Sequence, residues 1–479
     1  MRHPFHVALA LLLAACGRPP LPDDHARYSV LIRNATVIDG SGSRPYTGSV
    51  LIGADTLAYV GRHPLTGFSA DTVIDAGGRV VSPGFIDPHA HGDPFRTPAF
   101  DNFRRMGVTT IVLGMDGSSP GAEDPVGYSR RLDSLGTGIS VLRMVGHGTI
   151  RTLYEADTLR MQEAIRRHIG AGVIGLSTGI EYHPGYLADA DELAAIARPV
   201  ADAGLLVASH VRSEDADRIL ESVTELIGQG RRSGARVHVS HLKLVFGNDP
   251  AQTRPVLDAL TSTGATADVY PYIASYTGIG IVFPEWALPP NDYAAVLKSR
   301  RGELTAYVRD RVNRRNGPAA TLFGTAPYAG RTLAQVADSL GKPFEDVLVD
   351  DIGPFGASAA YFVMDQAVME AILLHPSVVV SSDGSPTMLH PRGYGSFARI
   401  IREHVMEKRQ LPLEAAVRKM SGQTADILGL TDRGYLRTGM RADVLLFDPA
   451  AVRDRATFTA PFQTAEGFDD VWVSGRRSP

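Results

Sequence analysis

The sequence predicts an α/β protein: a (β/α)8 barrel, TIM-like, with a small β-sandwich built from both termini and an inserted helical subdomain. Three observations predict it. Eight apolar runs of strand length, separated mostly by helical patterns, lie between residues 84 and 384. Short β-like pieces with Gly and Asp punctuation open the chain after Tyr28 and return after residue 431. The eighth run stands unusually far from the seventh. Strands alternating with helices are the signature of a parallel barrel, and so long a connection calls for an insertion.

Taken in order, the chain opens on MRHPFH, then VALALLLAA, then Cys16-Gly17. A basic start and a short apolar stretch ending in small residues describe an export leader, too short to span a bilayer. Leu13-Ala14-Ala15-Cys16 resembles the bacterial lipoprotein processing box, so residues 1–16 are expected to be a leader ending at a lipidated Cys16. The expected address is the cell envelope, with the protein lipid-anchored and facing the periplasm. Residues 17–27, Pro-rich and polar, suit a tether. Cys16 is the one cysteine, so no disulfide framework exists.

Residues 28–83 (YSVLIRNATVID, GSVLIGADTLAYVG, DTVIDAGGRVVSP) read as antiparallel strands of the sandwich, completed by 431–479. The barrel is expected over 84–430. Its strand runs are 84–91, 108–116, 139–147, 173–180, 205–211, 236–243, 266–272 and 378–384. DADELAAIARPVADAG is an intervening helix, with Asp189 and Glu192 at capping-box spacing. The subdomain at about 284–360 carries helical text such as NDYAAVLKSRRGELTAYVRDRVNRR and is read as a lid over the barrel mouth.

Composition excludes some functions. The formal charge is 48 − 52 = −4 and no basic tract occurs, which argues against a nucleic-acid partner. Apolar residues at 44% and charged ones at 21% are ordinary for a soluble globular enzyme.

In such barrels chemistry gathers at the C-terminal strand ends. His89 and His91 end the first run, and side chains at i and i+2 of a strand point to one face. Asp116 ends the second run, His210 the fifth, His241 the sixth and Asp383 the eighth. Six N and O donors on one rim suit one or two divalent ions.

The stretches GFIDPHAHGD, GLSTGIEYHPG, ASHVRSE, VSHLK, DVYPYIASYT, SSDG and HPRGYGSFARI together resemble the amidohydrolase superfamily, in particular its N-acyl-D-amino-acid deacylase (D-aminoacylase) branch. The likeness runs from about Tyr28 to Arg476. It implies a metal-dependent hydrolase that removes the acyl group from N-acyl-D-amino acids by attack of a metal-bound hydroxide. His89 and His91 would hold one metal position, and His210 and His241 the other. Asp383 would be the catalytic acid/base. Lys243, Tyr270 and Arg392 would grip the substrate carboxylate, and Tyr182, beside His183, would line the pocket wall. From the residues alone, Lys243 could also be a solvated strand end, and Arg392 could pair with Glu370 or Glu403, but substrate contact is the favoured reading of both.

Two departures from the family pattern stand out. The family's metal-ligating cysteine after the second strand is Asp116 here, a harder donor. Zn2+ is the expected ion, with Mn2+ or Fe2+ as competitors, and the metal count, one or two, stays open. The serine following the family's YPY run appears as Tyr276. Two other readings are a cyclic-amide hydrolase of the dihydroorotase or hydantoinase type and, from another class, an inactive lipid-anchored binding protein. The first expects a lysine at the fourth strand, which VIGLSTGI lacks.

Overall fold

The structure, a computed structural model, describes residues 21–23 and 25–478. The leader, Cys16 and residues 17–20 lie outside the described residues. Among the described residues no helix is long and apolar enough to cross a membrane.

The barrel strands are Phe85–Asp87, Val108–Leu113, Ser140–Arg143 continued by Val145–Gly146, Gly175–Gly179, Leu206–His210, Arg236–Val239, Thr266–Val269 and Val378–Val380. Each pairs in parallel with the next. A parallel bridge from Ala90 to Gly384 closes the ring between the last strand and the first. Most of the strands are buried along their length, because their outer faces meet the ring of helices and their inner faces meet each other, whereas Ser140–Arg143 is buried only at Arg143. Runs of Val, Ile and Leu are what such strands require, and they supply one continuous core that includes Ile111, Leu176, Val207, Val239 and Val380.

Several strands end earlier than their apolar text. The sixth stops at Val239 and the seventh at Val269, so His241, Lys243 and Tyr270 sit in the connections just beyond. The helix Ala190–Asp202 starts on Asp189, whose carboxylate accepts from the backbone N–H groups of Asp191 and Glu192. The expected reciprocal bond from Glu192 does not form. Its carboxylate is drawn instead to His147 at 2.8 Å and Arg151 at 2.9 Å, where the guanidinium brings a full positive charge that a backbone N–H lacks.

Both terminal segments join one eight-stranded sheet. Val444–Phe447 pairs antiparallel with Val80–Pro83, which stitches the C-terminal segment to the N-terminal one. Trp472, fully buried, packs with Ile32, Val50, Val81 and Leu446. The sheet is mixed rather than antiparallel throughout. Tyr28–Val37 runs parallel to both Ala70–Asp75 and Val80–Pro83, because the chain crosses over after Leu57–Gly61 instead of turning back in a hairpin.

The insertion also holds more than helices. Ser275–Gly278, Thr321–Phe323 and Ser358–Tyr361 form a three-stranded antiparallel sheet. The helix Tyr293–Arg314 shares one hydrophobic core with it, to which it contributes Val296, Leu304, Val308 and Val312. The strand Ser275–Gly278 of this sheet lies ahead of residue 284, outside the range expected for the insertion.

Candidate active site

The loops beyond the strands are held by polar bonds that link neighbouring strands. Asp87, at the end of the first strand, accepts from the backbone N–H of Ser382 at 3.0 Å and of His89 at 3.2 Å, and from the Ser382 hydroxyl. Burial pushes its carboxyl up to about 7 despite those bonds. One residue thus ties the loop bearing His89 to the loop bearing Asp383. Asp268 does the same for the sixth strand, with one oxygen on the His241 backbone N–H at 3.0 Å and the other on His238 at 2.9 Å. Asp116, His241 and Asp383 all take positive φ, at 53°, 36° and 48°. Left-handed backbone at non-glycine residues is costly and tends to gather where side chains must be aimed. Gly179 permits this aim, because a Cβ there would lie 2.2 Å from the Asp116 carbonyl oxygen.

The six donors meet. His89 Nε2 lies 3.3 Å from Asp116 Oδ2 and 3.7 Å from Asp383 Oδ1. His91 Nε2 lies 3.1 Å from Asp383 Oδ1 and 3.4 Å from Asp116 Oδ2. On the other side, His241 Nε2 is 3.2 Å from Asp116 Oδ1 and 3.1 Å from His210 Nδ1. One group of four (His89, His91, Asp116, Asp383) and one of three (Asp116, His210, His241) therefore share Asp116, with ligand atoms within 4.8 Å of one another in each. Imidazole and carboxylate donors at that spacing fit a divalent ion in either group, with Asp116 as the carboxylate between them.

Charge in the site is tightly balanced. Burial works against protonated imidazole at His91, but bonds to Asp116 and Asp383 prevail and push it up to about 9. At His241 burial and Lys243 oppose protonation, yet Asp116 and Asp383 push it up to about 10. Burial would raise the Asp383 carboxyl, but the Arg392 guanidinium and the neighbouring histidines hold it well below the usual carboxylate range.

The remaining predicted residues line the same cavity, of about 240 Å³. Arg392 is buried and pairs with neither Glu370 nor Glu403; its Nη1 sits 2.8 Å from Asp383 Oδ2. Lys243 is no solvated strand end. Its ammonium is buried, donates to Glu214 and lies 2.9 Å from His241 Nδ1. Tyr270 lies under both cations, 4.7 Å from Arg392 and 5.7 Å from Lys243 by ring centroid. Tyr182 stacks beside His210 at 4.5 Å and accepts from Thr277, whereas His183 does not line the cavity.

Three residues missed by sequence reasoning belong to the site. Glu181 Oε2 lies 2.8 Å from His210 Nε2 and so fixes that ring, leaving Nδ1 toward His241. Glu214 gathers Lys243 and the Nδ1 face of His241, at 3.1 Å from the latter. Ser275 lines the cavity one position before Tyr276, whose own hydroxyl turns aside to Ser358 at 2.8 Å. Glu181 stands two residues past the fourth strand, so the strand-end rule that flagged the histidines would have found it. Buried polar atoms of Tyr270 (the hydroxyl), Ser275 (Oγ) and Arg392 (Nε) have no hydrogen-bond partner. Buried polar atoms without partners are rare, and several around one cavity mark a place for a polar ligand.

Residues 329–478 match the amidohydrolase family. The chain is 33% identical over 500 residues to the N-acyl-D-aspartate deacylase of Alcaligenes xylosoxydans xylosoxydans, covering 96% of this chain and 94% of that protein. It superposes with a TM-score of 0.82 on the N-acyl-D-glutamate deacylase of Bordetella bronchiseptica, crystallised with zinc and a phosphonate inhibitor mimicking the reaction's tetrahedral intermediate. That pair is 29% identical and the match covers 94% of this chain and 96% of the other. A D-aminoacylase structure, described by its binuclear metal centre with one-metal activation and second-metal attenuation, superposes with a TM-score of 0.79 at 29% identity, over 94% and 96% of the two chains.

Proposed function

Because the chain belongs to the N-acyl-D-amino-acid deacylase family of amidohydrolases, we propose that it is a metal-dependent hydrolase that cleaves the amide bond of N-acyl-D-amino acids. The observation that carries the reading is the pair of imidazole–carboxylate groups sharing Asp116, with Asp383 paired to Arg392 at the edge of the cavity. His89, His91, Asp116 and Asp383, or Asp116, His210 and His241, would hold a divalent ion, which would supply Lewis acidity toward the acyl carbonyl and toward water.

The protein's own residues do the rest. Arg392 keeps Asp383 ionised, so Asp383 accepts a proton from the attacking water and returns it to the leaving amine nitrogen. Water adds to the carbonyl, the C–N bond breaks, and an acid and an amine leave. The unpaired N–H of Arg392, the Tyr270 hydroxyl and the remaining N–H of Lys243 take the α-carboxylate, which turns the scissile carbonyl toward the metal groups. Tyr182 closes the wall beside His210. Amine release from N-acetyl-D- and N-acetyl-L-amino acids by zinc-loaded protein tests the reading. Release from the D series is expected. A protein that binds metal yet releases amine from neither series would be the inactive binder instead. The cyclic-amide reading has no support at the fourth strand, where Ser177 and Thr178 stand and no lysine does.

The metal preference follows from Asp116. A carboxylate is a harder donor than a thiolate, so Mn2+ and Fe2+ compete with Zn2+ better here than at a cysteine-bridged site. Protons compete as well, since against burial Asp116 and Asp383 push His91 up to about 9 and His241 up to about 10. A ligating imidazole must shed its proton. At pH 8 calorimetry in buffers of different ionisation enthalpy is expected to show one to two protons released per first ion, with affinity rising as pH rises. The Asp116→Cys variant is expected to shift the Zn2+/Mn2+ affinity ratio toward zinc by at least about tenfold. No proton release, or an unchanged ratio, would contradict these assignments.

A further inference from the structure

The most unusual charge in the molecule lines the same cavity as the candidate metal ligands. Arg315 follows the helix Tyr293–Arg314 of the inserted subdomain and is only 4% exposed. Its guanidinium lies 4.9 Å from the Tyr361 ring centroid and 5.9 Å from that of Phe246. Its Nε is buried with no hydrogen-bond partner, and the side chain forms no ion pair among the described residues. A buried cation in that state is destabilising, and proteins retain such groups where a ligand completes them.

None of the acidic groups of the cavity forms an ion pair with it, although Glu181 and Asp215 are near enough to favour its charge. Asp383 is paired with Arg392, Glu214 with Lys243 and Glu181 with His210. Asp215, which also lines the cavity, is taken by Arg311 at 2.9 Å. Asp116 faces His89 and His241. Arg315 is the one cavity-lining cation left without an ion-pair partner among the described residues. A single substrate carboxylate held by Arg392 leaves it so.

Resting on the deacylase reading above, we propose that Arg315 is a specificity residue that receives a second anionic group, so that the preferred substrates are N-acyl-D-amino acids with a second carboxylate. The planar fork of guanidinium matches a carboxylate, and the rings of Tyr361 and Phe246 hold it against the wall. The second carboxylate can belong to the amino-acid side chain or to the end of a dicarboxylic acyl group.

The test compares kcat/KM of the zinc-loaded protein on N-acetyl-D-glutamine, N-acetyl-D-glutamate and N-succinyl-D-glutamine, alongside the Arg315→Met variant. At least one dicarboxylate is expected to exceed the neutral isostere tenfold or more, and the preferred one reveals which end Arg315 reads. Arg315→Met is expected to remove that margin mainly through KM, to leave N-acetyl-D-glutamine within threefold, and to melt no lower than the parent. Equal turnover of all three by the parent, or a uniform loss in the variant, overturns the proposal. Should no amide be cleaved, the deacylase reading fails and calorimetry decides this one separately. Glutarate binding at least tenfold more tightly than butyrate, with the margin absent in Arg315→Met, supports it; equal binding by the parent overturns it. If the variant does not fold, the comparison of substrates on the parent decides.

Discussion

Replacing Asp383 by Asn is expected to lower kcat by about 10³-fold while bound metal stays near the parental amount, because general acid–base catalysis contributes about 10²–10⁴. Asn is nearly isosteric and retains one oxygen donor toward His91, which lies 3.1 Å from Oδ1. It cannot accept a proton from water at neutral pH and cannot pass one to the amine. The expected loss corresponds to about 4 kcal/mol of transition-state stabilisation. The geometry makes the prediction sharp. Oδ2 is occupied by Arg392, so Oδ1 alone faces the histidines and is the oxygen available for transfer. Metal analysis and single-turnover amine release on the same preparation separate the two roles. A variant with full metal and near-normal turnover would remove Asp383 from the mechanism, whereas one without metal would show that its ligand role dominates.

Most of that site was legible because barrel chemistry sits at strand ends, and strand ends can be read. His89, His91, Asp116, His210, His241 and Asp383 each follow an apolar run, and the backbone brings their ligand atoms together. What was illegible depends on paths the sequence does not announce. Glu214 lies in the connection after His210, and nothing in VRSE says that its carboxylate turns to Lys243 on the next strand's loop. Arg392 was read as a substrate residue or a partner of Glu370 or Glu403, and nothing in SSDG or HPRGYG announces its bond to Asp383. Arg315 is harder still. Its neighbours Phe246 and Tyr361 come from distant parts of the chain, and the text RVNRRNG looks like a solvated helix end. Helical periodicity likewise concealed the small sheet of the insertion, whose strands of three or four residues carry too little pattern to detect.

Arg392→Met is expected to cut kcat/KM for free-acid substrates by about 10²–10³, through two effects with different signatures. Losing a charged hydrogen bond to the α-carboxylate accounts for about 1.5–3 kcal/mol, and this part vanishes when the carboxylate is blocked. The parent should therefore favour an N-acyl-D-amino acid over its methyl ester by about 10²-fold, and the variant should scarcely distinguish them. The second effect acts on Asp383. Without the guanidinium, burial is opposed only by the histidines, so the Asp383 carboxyl rises from its depressed position. A base must be ionised to work, so activity should fail at a higher pH on the acid side in the variant than in the parent. Arg392→Lys restores the charge without the planar fork. It should return the acid limb of the pH profile toward the parental position yet leave the acid/ester ratio low, since a point charge cannot hold Asp383 and a carboxylate in one plane. If both limbs and ratio instead match the parent in Arg392→Met, the guanidinium serves only to pair a buried carboxylate, and the substrate's α-carboxylate must be held by Tyr270 and Lys243 alone.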